Sequence, residues 1–161
     1  MTVSARLALV ASVLVASAAA GNARAVAATA RCPASAPPAP KAGGASILVP
    51  PGAVSLLLCR YGGLNSKAPH RLLRARFVST RKEIGGIVGS LDRLPKMRKV
   101  IMCPMDDGSE IVATFRYPSA APVTIDIGLT GCRTITNGRL TRTAAGSAGQ
   151  RLIATLTALV G

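Results

Sequence analysis

The chain has no tryptophan, two tyrosines, two phenylalanines, one histidine and only six acidic residues. Each scarcity removes a class of function. A protein that reads single-stranded nucleic acid stacks bases on aromatic side chains. Phe115 and Tyr117 fall on a core-facing run, so no specific nucleic-acid partner is expected. Any Ser-His-Asp triad must use His70, which sits beside Pro69 in a basic segment without a G-x-S-x-G motif and reads as a surface histidine. The four cysteines, Cys32, Cys59, Cys103 and Cys132, form no close C-x-x-C pair of the kind zinc sites use.

The acids offer little more. Asp106-Asp107-Gly108 with Glu110 lacks the alternating acids of a calcium loop and reads as a turn. Glu110 and Asp126 are expected on adjacent strands and the same outer face, about 13 Å apart. Paired glycosidase carboxyls stand roughly 5–9.5 Å apart. No catalytic, cofactor or metal constellation emerges, and the expectation is a protein that binds rather than catalyses.

What is present begins at the N-terminus. Arg6 precedes an uncharged run from Leu7 to Ala20, and Ala23-Arg24-Ala25 places small residues where a signal peptidase reads. This pattern predicts a Sec-type signal peptide over residues 1–25, cleaved before Val26, with no transmembrane segment in the mature form and a secreted destination. Four cysteines in such a chain imply two disulfides. Loss of Arg6 and Arg24 leaves 18 basic residues against 6 acids, a net charge of +12. Ten of the basic residues lie between Lys67 and Lys99. Arg71, Arg74, Arg76, Arg81, Lys82 and Arg93 form a candidate anion-binding patch, suited to anionic envelope polymers or an acidic extracellular protein.

Residues 26–45 are rich in Pro, Ala and Gly and predict an extended lead-in. Residues 46–161 predict one α+β domain. Val54 to Tyr61 is an apolar run typical of a strand buried on both faces. Thr80-x-x-Glu83 is a capping box, followed by Ile84, Ile87, Val88, Leu91 and Leu94 at helical spacing, with Pro95 as the stop. The segment bearing Arg71, Arg74 and Arg76 has no clear assignment. Ile111–Tyr117 and Val123–Leu129 alternate with period two and predict an antiparallel pair. Asn137-Gly138 predicts a tight hairpin, and Ser147-x-x-Gln150 opens a last helix carrying Leu152, Ile153, Leu156 and Leu159. The sum is an antiparallel sheet of about five strands with two helices on one face.

The strand register suggests the disulfides. If Tyr117 faces Val123, then Asp126 faces Thr114 and Gly108 faces Cys132, with Cys103 in reach just upstream. Cys103–Cys132 is the expected pair, which leaves Cys32–Cys59 to strap the lead-in to the first strand.

Two resemblances follow from these residues. Cys59-Arg60-Tyr61-x-Gly63-Leu64-Asn65, Cys103-Pro104-x-Asp106-x-Gly108, Gly131-Cys132 and Asn137-Gly138 together resemble small secreted actinobacterial proteins of no assigned activity. Met102-Cys103-Pro104-Met105, with a cysteine 29 residues beyond Cys103, is similar to the Streptomyces subtilisin inhibitor family. That resemblance implies a protease-inhibitory loop of Pro104, Met105 and Asp106, with Met105 entering the protease's primary pocket. The chain departs from that family in lacking a tryptophan-bearing strand and a cysteine just downstream of Cys59.

Overall fold

A computed structural model describes residues 31–41, 43–97, 103 and 105–161. The expected signal peptide and its expected cleavage site, with Arg98, Lys99 and Pro104, lie outside the described residues.

Six strands form one antiparallel sheet: β1 (Ser55–Tyr61), β2 (Leu72–Val78), β3 (Glu110–Arg116), β4 (Val123–Gly128), β5 (Thr134–Thr136) and β6 (Thr141–Thr143). Their order is β2-β1-β3-β4-β5-β6. Helices α1 (Arg81–Asp92) and α2 (Ser147–Val160) complete the fold. The α+β expectation holds, with six strands rather than five. The extra strand is β2, the unassigned basic segment. Its sequence, LLRARFV, does not alternate, because the strand lies at the sheet edge and is exposed through most of its length.

The periodic elements behave as their patterns require. β1 is central and buried on both faces. Leu56 and Leu58 of β1, Ala113 and Phe115 of β3, and Ile125 and Ile127 of β4 meet Ile84, Ile87 and Leu91 of α1 and Leu152, Ile153 and Leu156 of α2 in one core. A buried Leu, Ile or Phe side chain contributes about 1.5–3 kcal/mol. Substitutions in this layer therefore remove stability rather than a specific function.

Local details differ from the sequence reading. Thr80 is the N-cap of α1 in extended geometry, but its side chain makes no capping bond. The cap of α2 is Gly146, one residue before the expected Ser147, and it too lacks a side-chain bond. Gln150 instead donates its side-chain amide back to the Ala145 carbonyl.

The β3–β4 register is displaced by two residues: Phe115, not Tyr117, faces Val123, and Asp126 faces Val112, not Thr114. Tyr117 leaves the ladder and donates its hydroxyl to the Pro50 carbonyl at 2.7 Å. A two-residue slip keeps every side chain on its face, so alternation alone could not detect it.

Both disulfides form as expected, Cys32–Cys59 with a Cα–Cα separation of 5.6 Å and Cys103–Cys132 with 5.0 Å. Disulfides of this kind belong to an oxidising compartment. Among the described residues no helix is long and apolar enough to cross a membrane.

Opposite the helices, the lead-in crosses the outer face of the sheet as a strap. Cys32 and Ala36 pack on a second apolar cluster of Leu57, Cys59, Tyr61 and Val112, and the Tyr61 hydroxyl donates to the Pro33 carbonyl. The strap ends at the β5–β6 turn. There Gly138 holds a φ of 91°, and any side chain on it would collide with the Pro40 carbonyl.

That turn is not the expected two-residue hairpin. It spans residues 137–140, between the paired Thr136 and Thr141, and Gly138 alone in it has positive φ. Asn137 is fully buried. Its side-chain oxygen accepts from the backbone N–H groups of Arg139 and Leu140 at 3.1 and 2.9 Å. Its amide nitrogen donates to the carbonyls of Gly44, Ile47 and Leu48 at 3.0, 3.1 and 3.2 Å. One side chain thus joins the hairpin to the entry of the domain.

Candidate functional site

The structure divides the predicted basic patch. Arg71 borders β2, and Arg74 and Arg76 lie on it at the sheet edge. Arg81 lines a small hollow with Pro51 and Gly52 near the start of α1. Lys82 and Arg93 converge on a third place, a groove of about 700 Å3 between α1 and α2.

The groove follows from helix composition. Gly86 on α1 and Ala148 on α2 are small where the helices face one another, so a trough remains between the backbones. Ile87, Leu94 and Leu152 form its floor. Lys82, Arg93 and Arg151 stand on its rim with a single carboxylate, Glu83, and Thr80, Ser90 and Thr155 supply hydroxyls. Three rim contacts are internal: Ser90 Oγ donates to the Gly86 carbonyl at 2.8 Å, Thr155 Oγ1 donates to the Arg151 carbonyl at 2.9 Å, and Arg93 Nη2 donates to Ser90 Oγ at 3.5 Å. The charge excess and the apolar floor together suit an anionic group that carries some apolar surface. Arg151 was missed in the sequence because it lies far along the chain from the other cations. Its position on the polar face of an amphipathic helix was the one available signal.

The loop after Cys103 holds the second candidate. Met105 is 93% exposed with a φ of 62°. Around it the acids serve the turn. Asp106 Oδ1 accepts the Gly108 N–H and Asp107 Oδ1 the Ser109 N–H, and Thr130 Oγ1 donates to both carboxylates. The hydrogen bonds from Thr130 and Ser109 hold the Asp107 carboxyl below its usual range. The turn reading of Asp106-Asp107-Gly108 therefore describes what these residues do. His70, with a φ of 54°, approaches Gly108 of the same loop: a Cβ there would meet His70 Cε1 at 3.4 Å.

A third feature corrects the sequence reading. Glu110 and Asp126 are not about 13 Å apart along the sheet. The register slip brings their carboxyls together on the outer face. Burial, then the hydrogen bond and charge of Asp126, push Glu110 up to about 8. Burial likewise raises Asp126, with the charge of Asp106 adding to it and the hydrogen bonds from Glu110 and Ile127 opposing it. The two carboxyls therefore hold a proton between them. Asp126 Oδ1 is buried without a partner among the described residues. Tyr61 sits opposite Glu110 in the ladder, and its hydroxyl is raised by burial and by the Glu110 charge. Carboxyls in direct contact share a proton; they leave no room for a sugar between an acid and a base.

No family model, no curated protein and no solved structure matches the chain.

Proposed function

We propose that this protein is an exported, non-enzymatic binding module for anionic partners at the cell envelope, and that the groove between α1 and α2 is its working surface. The observation that carries the reading is the rim of Lys82, Arg93 and Arg151 over an apolar floor, with Glu83 as the lone acid. Clustered exposed cations of this kind attract phosphate- or carboxylate-bearing polymers and lipids in a salt-dependent way.

The test is retention on purified cell wall and on anionic vesicles. The expected result is binding at about 50 mM salt that is largely lost by about 500 mM, as screening shortens the range of the interaction. A Lys82→Glu, Arg93→Glu, Arg151→Glu variant should lose at least about tenfold in affinity. No retention at any salt, or retention unchanged in the triple variant, overturns the assignment.

A second reading is inhibition of a subtilisin-type protease through Met105. Its support is the exposure of Met105 on a loop anchored by Cys103–Cys132. Pre-organisation of this kind lowers the entropic cost of binding. The left-handed backbone at Met105 weighs against it, since a segment that docks as an added strand needs an extended conformation. Titrating subtilisin with the mature protein separates the readings. Stoichiometric inhibition at micromolar protein that is abolished by Met105→Gly supports the loop, and full protease activity removes it.

A further inference from the structure

The two edges of the sheet are treated differently by the chain itself. At β6 the edge is closed: Lys96 bridges to Arg142, Met97 N–H donates to the Thr141 carbonyl, and Thr143 N–H donates to the Pro95 carbonyl. At β2, among the described residues, the strap closes only the beginning. Ser35 bridges to Arg71, Leu72 N–H donates to the Ala34 carbonyl, and Ala36 N–H donates to the His70 carbonyl. The strap then leaves for the outer face, and β2 continues as the outermost strand to Val78. An open strand edge presents unpaired backbone donors and acceptors, a template for another extended segment.

From Leu73 to Val78 this edge is about 20 Å long, enough for five or six residues. Its chemistry is specific. Arg74 and Arg76 lie opposite Arg60 and Leu58 of β1, on the helix side of the sheet, and Arg60 extends the cationic row inward. Arg74 Nε donates to the Gly161 carbonyl at 3.4 Å, and Arg71 Nη1 donates to Ser35 Oγ at 3.5 Å. The Ser35 hydroxyl is uncharged and does not neutralise Arg71. Phe77, opposite Leu57 on the other face, is 54% exposed, and Leu73 is 41% exposed.

We infer that the free edge of β2 captures an extended acidic segment of another protein by strand addition. Backbone hydrogen bonds would supply the pairing, acidic side chains on one face would meet Arg74 and Arg76, and apolar side chains on the other would lie along Ala75 and Phe77. The strap's short ladder at Leu72 shows that this edge accepts an extended strand. Charge selects the occupant. A second copy of β2 paired antiparallel about Ala75 would set Arg74 against Arg76 at two places, which like-charge repulsion opposes. An acidic strand reverses that repulsion. This surface is separate from the groove between the helices, so either assignment can fail without the other.

The probe is a blocked hexapeptide alternating valine and glutamate, added to the mature protein and followed by amide NMR and by fluorescence anisotropy. In the free protein the amides of residues 74–78 should exchange faster than those of β1. The peptide should slow them, with shift changes centred on β2. N-methylation at alternate peptide residues should abolish binding. An Arg74→Glu, Arg76→Glu variant should weaken it at least about tenfold, and Arg76→Glu alone, at an exposed site, serves if the double variant folds poorly. The triple groove variant should bind the peptide as the unaltered protein does. Equal binding of the N-methylated peptide would reduce the site to charge attraction and overturn the inference. Absence of binding, shift changes confined to the groove, or an edge already protected by self-association would each do the same.

Discussion

Replacing Asn137 with alanine is expected to cost about 3–5 kcal/mol, a loss in which several hydrogen bonds to one buried side chain fail together. The side chain is fully buried, so water does not take over. Three carbonyls, of Gly44, Ile47 and Leu48, lose their donor, and two backbone N–H groups, of Arg139 and Leu140, lose their acceptor. For a domain of this size the midpoint of thermal unfolding should fall by about 10–20 °C. Asn137→Asp is a sharper probe. It retains an acceptor for Arg139 and Leu140 but turns an oxygen toward three carbonyls, and should be at least as damaging at neutral pH. Arg139→Ala, at an exposed neighbour, should stay within about 0.5 kcal/mol of the parent. Thermal and urea unfolding measure all three, and a loss below about 1 kcal/mol for Asn137→Ala would show that the turn does not depend on this side chain.

The second large effect is on pH dependence. Glu110 rises from its ordinary 4.5 to about 8 in the folded protein. The folded state therefore holds a proton that the unfolded chain releases, and stability must fall as pH rises between those values. The contribution is fully present below about pH 4.5 and lost by about pH 8. Asp126 is raised as well and acts in the same direction. Asp107 is lowered and acts only at more acidic pH, while Tyr61 and Tyr117, both raised, act only in the alkaline range. Since Glu110 is only half-buried, solvent screening reduces the effect to about 1–2 kcal/mol. Melting should be lower at pH 8 than at pH 5.5, and Glu110→Gln, a neutral isostere, should raise stability at pH 8 and flatten the profile. A profile that rises across this range, or that Glu110→Gln leaves unchanged, rules out the shared proton.

The elements read most directly from the sequence are those whose pattern reports burial. Ile84, Ile87, Leu91 and Leu94 repeat at helical spacing because one face of α1 meets the sheet. The β1 run Leu56–Cys59 is apolar because that strand is covered by helices on one side and by the strap on the other. β2 escaped notice for the opposite reason: an exposed edge strand carries no burial pattern, and its arginines resemble loop composition. The candidate sites were less legible still. Arg74 and Arg76 were visible as charge but not as an edge, and Arg151 became part of the groove only when α2 packed beside α1. The Asn137-Gly138 signal located a turn correctly and missed its role, because the partners of Asn137 lie about ninety residues away, at Gly44, Ile47 and Leu48.

By itself the sequence determined the α+β class, the presence of two disulfides and the faces of the long strands and helices. These follow from side-chain periodicity and from cysteine count in an exported chain, whereas the pairing Cys103–Cys132 was expected from a strand register two residues away from the one that forms. Tertiary structure alone decided the β3–β4 register, the contact of Glu110 with Asp126, the β2 edge left open among the described residues and the cationic groove. Each depends on which distant segments come together. A two-residue slip, an unpaired edge or a cation arriving from another helix leaves the local pattern of hydrophobic and polar residues unchanged.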